Sequence, residues 1–227
     1  MKILISAGAT QEPIDEVRHI TNFSSGKTGA ALAEFLAPSH FVTFLHGISS
    51  AQPVTSAINI KFQSFFDLDA LFQRHLAENT YDLIIHTAAV SDYSVSCIEL
   101  NGKRYKPAEI PKISSHENLV IRTRRNFKII DRLKEYALSN PAAGQPPILA
   151  GFKLTNTPDR KQQKREVMEL LKHSPADLVI HNDLYEMRYR GEHRFTVYKD
   201  HQMLHQDITL DDLAGEILHH CSSGLKA

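Results

Sequence analysis

The sequence predicts an α/β fold of the Rossmann-like, doubly wound type, in which a mostly parallel sheet carries helices on both faces. Two observations support this prediction. Short apolar runs rich in β-branched residues alternate along the chain with segments whose apolar residues recur at helical spacing. Several of the short runs are apolar without interruption, which is typical of strands buried on both faces of a parallel sheet.

The predicted elements follow in chain order. Strands are expected at residues 2–7, 40–46, 59–65, 82–88, 148–154 and 177–181. Helices are expected at residues 26–36, 67–77, 127–138 and 159–173. Asp67 and Asp159 stand where an N-cap or a first-turn acid favours the start of a helix.

The last third of the chain departs from this alternation. Residues 194–198 and 202–205 flank Lys199-Asp200-His201 and predict a β-hairpin, after which Thr209 would cap a final helix over residues 210–220. Residues 94–116 show no periodic pattern, and a structureless stretch of that length in a compact domain is more often a lid or binding loop. We therefore expect one domain over residues 1–227, with a lid at about 94–116 and a hairpin-and-helix appendage at about 189–221.

Composition restricts the class of partner. Lys and Arg together number 26, equal to Asp and Glu together, so no net field favours nucleic acid or a membrane surface. No apolar run approaches the roughly 18 residues that a membrane span needs. The two cysteines, Cys97 and Cys221, fit reduced thiols. We expect a cytoplasmic protein that binds neither nucleic acid nor membranes and handles any phosphate group by local features.

The loop at residues 8–29 is the first candidate site, because ligands of open α/β sheets bind beyond the carboxyl ends of the strands. It lacks the G-x-G-x-x-G dinucleotide fingerprint, and Thr21 stands where a P-loop needs its first glycine. The turn Ser24-Ser25-Gly26 offers hydroxyl and main-chain N–H groups at a helix N-terminus, which suits phosphate. A plain capped helix would also explain this turn; the polar Arg18 and Asn22 in an otherwise unexplained loop favour binding.

Three further positions are candidates, each with an ordinary structural alternative. Asp92, after the strand at 82–88, could accept hydrogen bonds from sugar hydroxyls or hold a metal through water, or could simply form an Asx-turn. Lys112 could close over a developing phosphate charge from the predicted lid, or lie solvated at the surface. Phe152, at a strand end, could stack on a base or pack in the core.

Taken together, these segments resemble the phosphopantothenate–cysteine ligase family of coenzyme A biosynthesis. The opening of that family reads G-G-T-x-E-P-I-D-x-V-R-x-I-x-N-x-S-S-G-x-x-G. The chain matches it at Gly8, Thr10, Glu12, Pro13, Ile14, Asp15, Val17, Arg18, Ile20, Asn22, Ser24, Ser25, Gly26 and Gly29. Further matches are the A-A-V-[AS]-D-[YF] segment at residues 88–93, the lid lysine at Lys112, the G-F strand end at Gly151-Phe152 and the I-x-N-D segment at residues 180–183. The resemblance covers nearly the whole chain and is to the stand-alone form of the enzyme.

The resemblance implies a reaction and its reactants. In this family the carboxylate of 4′-phosphopantothenate is activated on the α-phosphorus of CTP, with ATP the less expected nucleotide, in the presence of Mg²⁺. The amine of L-cysteine then displaces CMP from the acyl-cytidylate. The family forms dimers, so a homodimer is expected.

The resemblance also implies roles for residues. Asn22 would bind the acyl oxygen as it becomes an oxyanion, and Lys112 would stabilise charge while the acyl-nucleotide forms. Substrate would be bound by Gly8, Thr10, Arg18, Asn22, Ala88 and Ala89. Nucleotide would be bound by Ser24, Ser25, Gly26, Asp92, Lys112, Phe127, Lys128, Ile129, Ile130, Phe152 and Lys172. No residue is assigned as a metal ligand.

Three departures from the family pattern affect these roles. Ala9 replaces a glycine, and Phe127 stands where relatives often have proline. The two helix lysines that help to hold the triphosphate do not align cleanly: Lys172 is close to one, and Lys164 or Arg165 is near the other.

Two other functions remain open. A short-chain NAD(P)-dependent oxidoreductase requires a glycine fingerprint and a Tyr-x-x-x-Lys pair, but the string beginning at Tyr189 reaches His193 without the lysine. A non-catalytic nucleotide-binding module predicts that CTP still binds when Asn22 and Lys112 are replaced.

Overall fold

The computed structural model describes residues 1–114, 118–191 and 193–222. Within these residues the chain forms thirteen strands, numbered in chain order: β1 (Lys2–Ala7), β2 (Gln11–Pro13), β3 (His19–Thr21), β4 (Phe41–Gly47), β5 (Ile58–Phe62), β6 (Leu83–His86), β7 (Tyr93–Leu100), β8 (Lys103–Tyr105), β9 (Leu119–Arg125), β10 (Ile148–Thr155), β11 (Leu178–Asp183), β12 (Phe195–Lys199) and β13 (Gln202–Ile208). The α-helices of the same residues are α1 (Lys27–Leu36), α2 (Phe65–Glu78), α3 (Leu133–Leu138), α4 (Arg160–His173), α5 (Leu184–Tyr189) and α6 (Leu210–Ser222).

The main sheet has eight strands in the order β13-β12-β11-β10-β6-β1-β4-β5. The six strands from β11 to β5 pair in parallel, and the hairpin β12–β13 extends the sheet by antiparallel pairing. The chain leaves β1 through β4 and β5 and then returns to the other side of β1 as β6. This reversal confirms the predicted Rossmann-like, doubly wound fold and places a crevice between the carboxyl ends of β1 and β6.

Helices bury both faces of the sheet. On one face α1 and α6 pack over Ile3, Ile5 and Phe44, and on the other α2 and α3 pack over Leu4, Leu45 and Ile84. The alternation of side chains along each strand produces these two apolar layers. α4 packs through Val167 on the β11–β12 part of the sheet. No helix among the described residues is long and apolar enough to cross a membrane.

The helix starts follow from local capping. Ser64 and Asp67 form a reciprocal capping box at α2, so Asp67 is the third helical residue and not the cap. The predicted caps at the other two helices are confirmed: Asp159 accepts a hydrogen bond from the Lys161 N–H, and Thr209 accepts one from the Asp212 N–H. The hairpin turn at Asp200-His201 has positive φ at both residues, as a two-residue turn requires.

The expectation of an irregular segment at residues 94–116 is wrong over most of its length. β7, β8 and β9 form a separate three-stranded antiparallel sheet in the order β8-β7-β9. β7 and β8 are joined by Asn101 and Gly102, with φ of 49° and 77°, the left-handed conformations that favour Asn-Gly in a tight hairpin. Only residues 106–114 of the predicted lid are without regular structure among those described, while residues 115 and 116 lie outside the described residues.

The predicted helix at residues 127–138 is also only partly correct. A 3-10 turn over Ile129–Arg132 precedes α3, and Lys128 ahead of it is extended. The ring of Phe127, ahead of this turn, packs edge-to-face on Phe65, with 4.9 Å between the ring centroids.

Candidate active site

The carboxyl ends of β1 and β6 are tied together by main-chain hydrogen bonds. The Ala89 N–H donates to the Gly8 oxygen at 2.7 Å, and the Thr10 N–H donates to the Ala89 oxygen at 3.3 Å. Thr10 is fully buried, and its hydroxyl accepts a hydrogen bond from the Ser91 N–H at 2.9 Å. The predicted substrate residues Gly8, Thr10 and Ala89 therefore lie together. The Thr10 side chain is used in a hydrogen bond with the main chain and is not directed at a ligand.

A first cavity of about 450 Å³ opens above these ends. We name it the loop cavity, and it is lined by Ala9, Gln11, Thr21, Asn22, Phe23, Ser24, Ser25, Ser49 and Ser50. α1 begins beside it with Gly26 as N-cap, which supplies no capping side chain, and its first turn carries no acidic residue. The Ser25 hydroxyl accepts a long hydrogen bond of 3.4 Å from the Lys27 N–H. The positive end of the α1 dipole therefore faces this cavity, and its binding of phosphate stays a prediction.

A second cavity of about 310 Å³ lies on the other side of the segment that follows β6. We name it the strand-end cavity. Its lining includes seven residues that the sequence predicts to bind substrate or nucleotide: Ala88, Asp92, Phe127, Lys128, Ile129, Ile130 and Phe152. It also includes His86, Val90, Asp131, Lys153, Glu169 and His173, which sequence reasoning did not assign. Aromatic, apolar and charged groups of this kind suit a nucleotide.

Asn22 joins the two cavities. Its amide Nδ2 donates to the main-chain oxygen of Val90 at 3.3 Å, and Val90 lines the strand-end cavity while Asn22 lines the loop cavity. The Asn22 side chain is exposed, so a ligand that spans both cavities can reach its amide.

Charged groups of the strand-end cavity are already paired. Lys128 forms an ion pair with Asp92, and Lys153 Nζ lies 3.0 Å from Glu166 Oε2. Burial raises the pKa of Asp131, and the positive charges of Lys128 and His173 oppose that rise. Incoming phosphate groups must therefore compete with carboxylates for both lysines.

His86 forms the floor of the strand-end cavity. Burial lowers the pKa of His86 from 6.5 to about 4, so the imidazole is neutral at pH 7. Its Nδ1 lies 2.6 Å from Ser6 Oγ, and its ring packs edge-to-face on Phe72.

Glu12 is a buried residue whose role the sequence did not reveal. Its carboxylate accepts a hydrogen bond from the Phe65 N–H at 2.9 Å, at the start of α2, and one from the Ser94 hydroxyl at 2.8 Å. Glu12 thus fastens the first loop both to the main domain and to the small sheet. The unusual length of the loop has this structural explanation beside its proposed role in binding.

Asp15 and Arg18 anchor the segment that carries Lys112. The Ile113 N–H donates to Asp15 Oδ2 at 3.0 Å, and Arg18 Nη2 donates to the Ile113 oxygen at 3.1 Å. Arg18 Nη1 also lies 2.5 Å from Asp15 Oδ2. Burial opposes ionisation of Asp15, but the N–H groups of Ile113, Val17 and Arg18 and the Arg18 guanidinium outweigh it and lower its pKa.

Two of the lysines that the sequence predicts to bind the nucleotide lie outside both cavities. Lys112 is exposed and, among the described residues, lines neither cavity. Lys172 is exposed in the last turn of α4, where Glu169 and His173 face the strand-end cavity instead. Lys164 lines a different cavity beside Asn182 and Asp183. The roles given to Lys112 and Lys172 stay predictions.

Residues 1–223 match the family described as the DNA/pantothenate metabolism flavoprotein C-terminal domain. The chain belongs to this family. The match spans both cavities, the small sheet and the C-terminal hairpin, so the elements described above are those of one family domain.

Relatives and solved structures agree with the assignment to this pantothenate-metabolism family. The coenzyme A biosynthesis bifunctional protein CoaBC of Methanocaldococcus jannaschii is 30% identical over 199 residues, which are 87% of this chain and 44% of the relative. Phosphopantothenate--cysteine ligase 1 of Oryza sativa subsp. japonica is 38% identical over 93 residues, 39% of this chain and 28% of the relative. The chain therefore spans less than half the length of these relatives.

A solved structure of the DNA/pantothenate metabolism flavoprotein from Streptococcus pneumoniae superposes with a TM-score of 0.81 at 26% identity. The superposition covers 98% of this chain and 99% of that one. The fold of the whole chain is therefore that of the family domain.

Proposed function

We propose that this chain is a phosphopantothenate–cysteine ligase that forms an amide between 4′-phosphopantothenate and L-cysteine. The observation that carries the proposal is the junction at Asn22, where the loop cavity meets the strand-end cavity. The name of the Oryza sativa relative and the family match support the same activity.

The chemistry explains the need for two adjoining cavities. A carboxylate does not condense with an amine in water, because the leaving group would be oxide. We propose that a carboxylate oxygen of 4′-phosphopantothenate attacks the α-phosphorus of CTP and that pyrophosphate leaves. The cysteine amine then attacks the acyl carbon and loses a proton, and CMP departs with the electrons of the broken C–O bond.

The nucleotide then occupies the strand-end cavity and reaches the loop cavity with its phosphates, where it meets 4′-phosphopantothenate. The amino end of α1 and the hydroxyls of Ser24 and Ser25 bind phosphate in the loop cavity. The strand-end cavity holds the nucleotide between Phe152 and the Phe127–Lys128 corner. Asn22 donates to the acyl oxygen between them, and a neutral amide there stabilises the oxyanion of the tetrahedral intermediate.

Mg²⁺ fits this arrangement through the donor chemistry of the strand-end cavity. Asp92 and Asp131 bring carboxylates to the cavity, and Mg²⁺ is commonly bound by one or two carboxylates together with substrate phosphates and water. When bound, Mg²⁺ supplies charge neutralisation at the phosphates. We propose that it is held mainly by the nucleotide, with Asp92 as its protein partner through water.

Assembly and location complete the proposal. We propose a cytoplasmic homodimer, as expected for the family that the sequence resembles.

The test is a direct assay of the full chain. The protein is incubated with 4′-phosphopantothenate, Mg²⁺ and either CTP or ATP, with and without L-cysteine, and pyrophosphate and products are followed by mass. We expect pyrophosphate release with CTP and amide product only when cysteine is present. Release of no pyrophosphate with either nucleotide refutes the ligase. Binding of CTP without turnover, unchanged by substitution of Asn22 and Lys112, supports a non-catalytic module instead.

A further inference from the structure

Three side chains with metal-binding atoms converge where α6 packs beside β13. His205 lies on β13, and Glu216 and His220 lie one turn apart on α6. The Nε2 atoms of His205 and His220 each lie 3.7 Å from Glu216 Oε2, and one donor atom from each of the three residues lies within 4.8 Å of the others. We propose that these residues form a site for one divalent transition-metal ion, with Zn²⁺ as the best match.

Two of the three donor separations are close to those of a tetrahedral site, and the third, between the two imidazoles, is within 4.8 Å. Zn–N and Zn–O bonds of about 2.0–2.2 Å put neighbouring donors of a tetrahedron about 3.3–3.6 Å apart. The two separations of 3.7 Å therefore need changes of only a few tenths of an ångström, which small side-chain rotations provide. Glu216 and His220 share one face of the helix because they are four residues apart.

The donor types select the metal. Two imidazole nitrogens and one carboxylate oxygen suit Zn²⁺ and its late transition-metal neighbours, whereas Mg²⁺ and Ca²⁺ prefer oxygen donors throughout. The site is therefore distinct from any Mg²⁺ that accompanies a nucleotide. None of the three residues lines the loop cavity or the strand-end cavity.

The surroundings of the cluster favour a bound cation at Glu216. Its Oε2 is buried and accepts no hydrogen bond from the described residues, although both imidazoles lie at ion-pair distance.

A bound ion would fasten the last helix to the edge hairpin. Since α6 covers one face of the main sheet beside α1, an ion that binds only the folded chain raises the thermal unfolding midpoint. Ligase turnover is not expected to need this ion, because the cluster is separate from both cavities.

The test uses the full chain without a histidine tag, freed of metal by a chelator. Co²⁺ is titrated and followed by its visible absorption, Zn²⁺ is used to displace it, and unfolding midpoints are recorded with and without Zn²⁺. We expect one ion per chain and a rise in the midpoint. His205→Ala and Glu216→Gln should each weaken binding at least about tenfold, since even an outer-shell partner is commonly worth 10–100-fold.

Two variants serve as matched controls. His219→Ala removes the adjacent exposed histidine of the same helix, and Cys97→Ser removes the partly exposed thiol. Both should bind Zn²⁺ as tightly as the unsubstituted chain. The proposal is overturned if the unsubstituted chain binds no stoichiometric ion, if His205→Ala and Glu216→Gln bind equally well, or if Cys97→Ser abolishes binding. His205 is half-exposed on a strand, so its variant remains decisive if Glu216→Gln fails to fold.

Discussion

The side-chain amide of Asn22 donates a hydrogen bond to the main-chain oxygen of Val90 across 3.3 Å. Asn22 comes from the loop after β1 and Val90 from the segment after β6, the two strands between which the chain reverses direction. The contact therefore fixes a side-chain donor between the two cavities.

Replacement of Asn22 tests its proposed role with the oxyanion. Asn22→Ala should lower amide formation on the order of 10²–10³-fold, the usual cost of removing one such donor, while pyrophosphate is still released. Single-turnover mass analysis of both products measures the difference. Asn59→Ala is the matched control. Asn59 is an exposed residue of the distant strand β5, and its side-chain amide donates to the main-chain oxygen of Ala57. Full turnover by Asn22→Ala would refute the role.

The sequence reveals the main sheet far better than the small one. Uninterrupted apolar runs identify β1, β4, β6, β10 and β11 because these strands are buried on both faces. β9 is mostly exposed and polar, and irregular pairing between Val95 and Cys97 interrupts the alternation of β7, so hydrophobic periodicity does not mark these strands. The Asn101-Gly102 turn was the available signal for that hairpin.

The candidate site likewise contains residues that the sequence could predict and residues that it could not. Residues adjacent in sequence to a strand end, such as Asp92 and Phe152, could be predicted because the fold brings strand ends together. Asp131 and Glu169 could not, because they reach the cavity from a 3-10 turn and a helix whose packing the sequence does not specify. The Asp15–Arg18–Ile113 contact joins residues 95 positions or more apart, and no local pattern encodes it.

The Asp15–Arg18 anchor should affect both stability and turnover. Asp15→Ala leaves the buried Ile113 N–H without its acceptor, which costs about 1–3 kcal/mol of unfolding free energy. The segment carrying Lys112 should then loosen, and kcat should fall. Urea unfolding and steady-state kinetics measure the two effects. Glu109→Ala removes only water-exposed contacts with Lys106, an ion pair and a hydrogen bond from its main-chain N–H, so it should cost less than about 1 kcal/mol and leave kcat unchanged. Equal losses in both variants would contradict the anchor.

His86 predicts a specific pH dependence of stability. Its folded-state pKa of about 4 lies below the ordinary 6.5, so the unfolded chain binds the proton more readily between these values. The contribution of His86 is complete above pH 6.5 and is lost as pH falls toward 4, by about 3 kcal/mol in total.

Unfolding by urea at pH 7.5 and pH 5 checks this dependence. His86→Asn, which keeps a polar atom toward Ser6, should show a smaller loss of unfolding free energy between the two pH values than the unsubstituted chain. Phe62→Leu, in the same apolar layer, should lower stability equally at both. An unchanged pH dependence in His86→Asn would show that other groups produce it.

Gly29 allows α1 to approach the sheet closely. A Cβ at this position would lie 2.4 Å from Ala7 Cβ and 2.8 Å from Thr87 Oγ1. Gly29→Ala should therefore overpack the contact and cost about 1–3 kcal/mol of unfolding free energy, and it should weaken CTP-dependent turnover by displacing the amino end of α1.

Gly215 is the matched control for this substitution. It lies within α6, and a Cβ there would have no atom within 4 Å. Gly215→Ala should raise the unfolding free energy by about 0.4–1 kcal/mol, because alanine restricts the unfolded chain at no steric cost. Thermal and urea unfolding distinguish the two, and a stabilised Gly29→Ala would mean that the helix can shift freely.

Lys153 and Lys172 separate two positions for the triphosphate, one inside the strand-end cavity and one on the exposed end of α4. Lys153 lines the strand-end cavity, paired with Glu166, whereas Lys172 is exposed outside that lining. If Lys153 exchanges its carboxylate for a nucleotide phosphate, Lys153→Met removes a charged hydrogen bond worth about 1.5–3 kcal/mol and raises the KM for CTP roughly 10- to 150-fold. Lys172→Met should leave that KM within about twofold, a change below 0.5 kcal/mol, as is usual for an exposed substitution. Initial rates over a range of CTP concentrations measure both, and the reverse order of effects would place the triphosphate along the exposed end of α4.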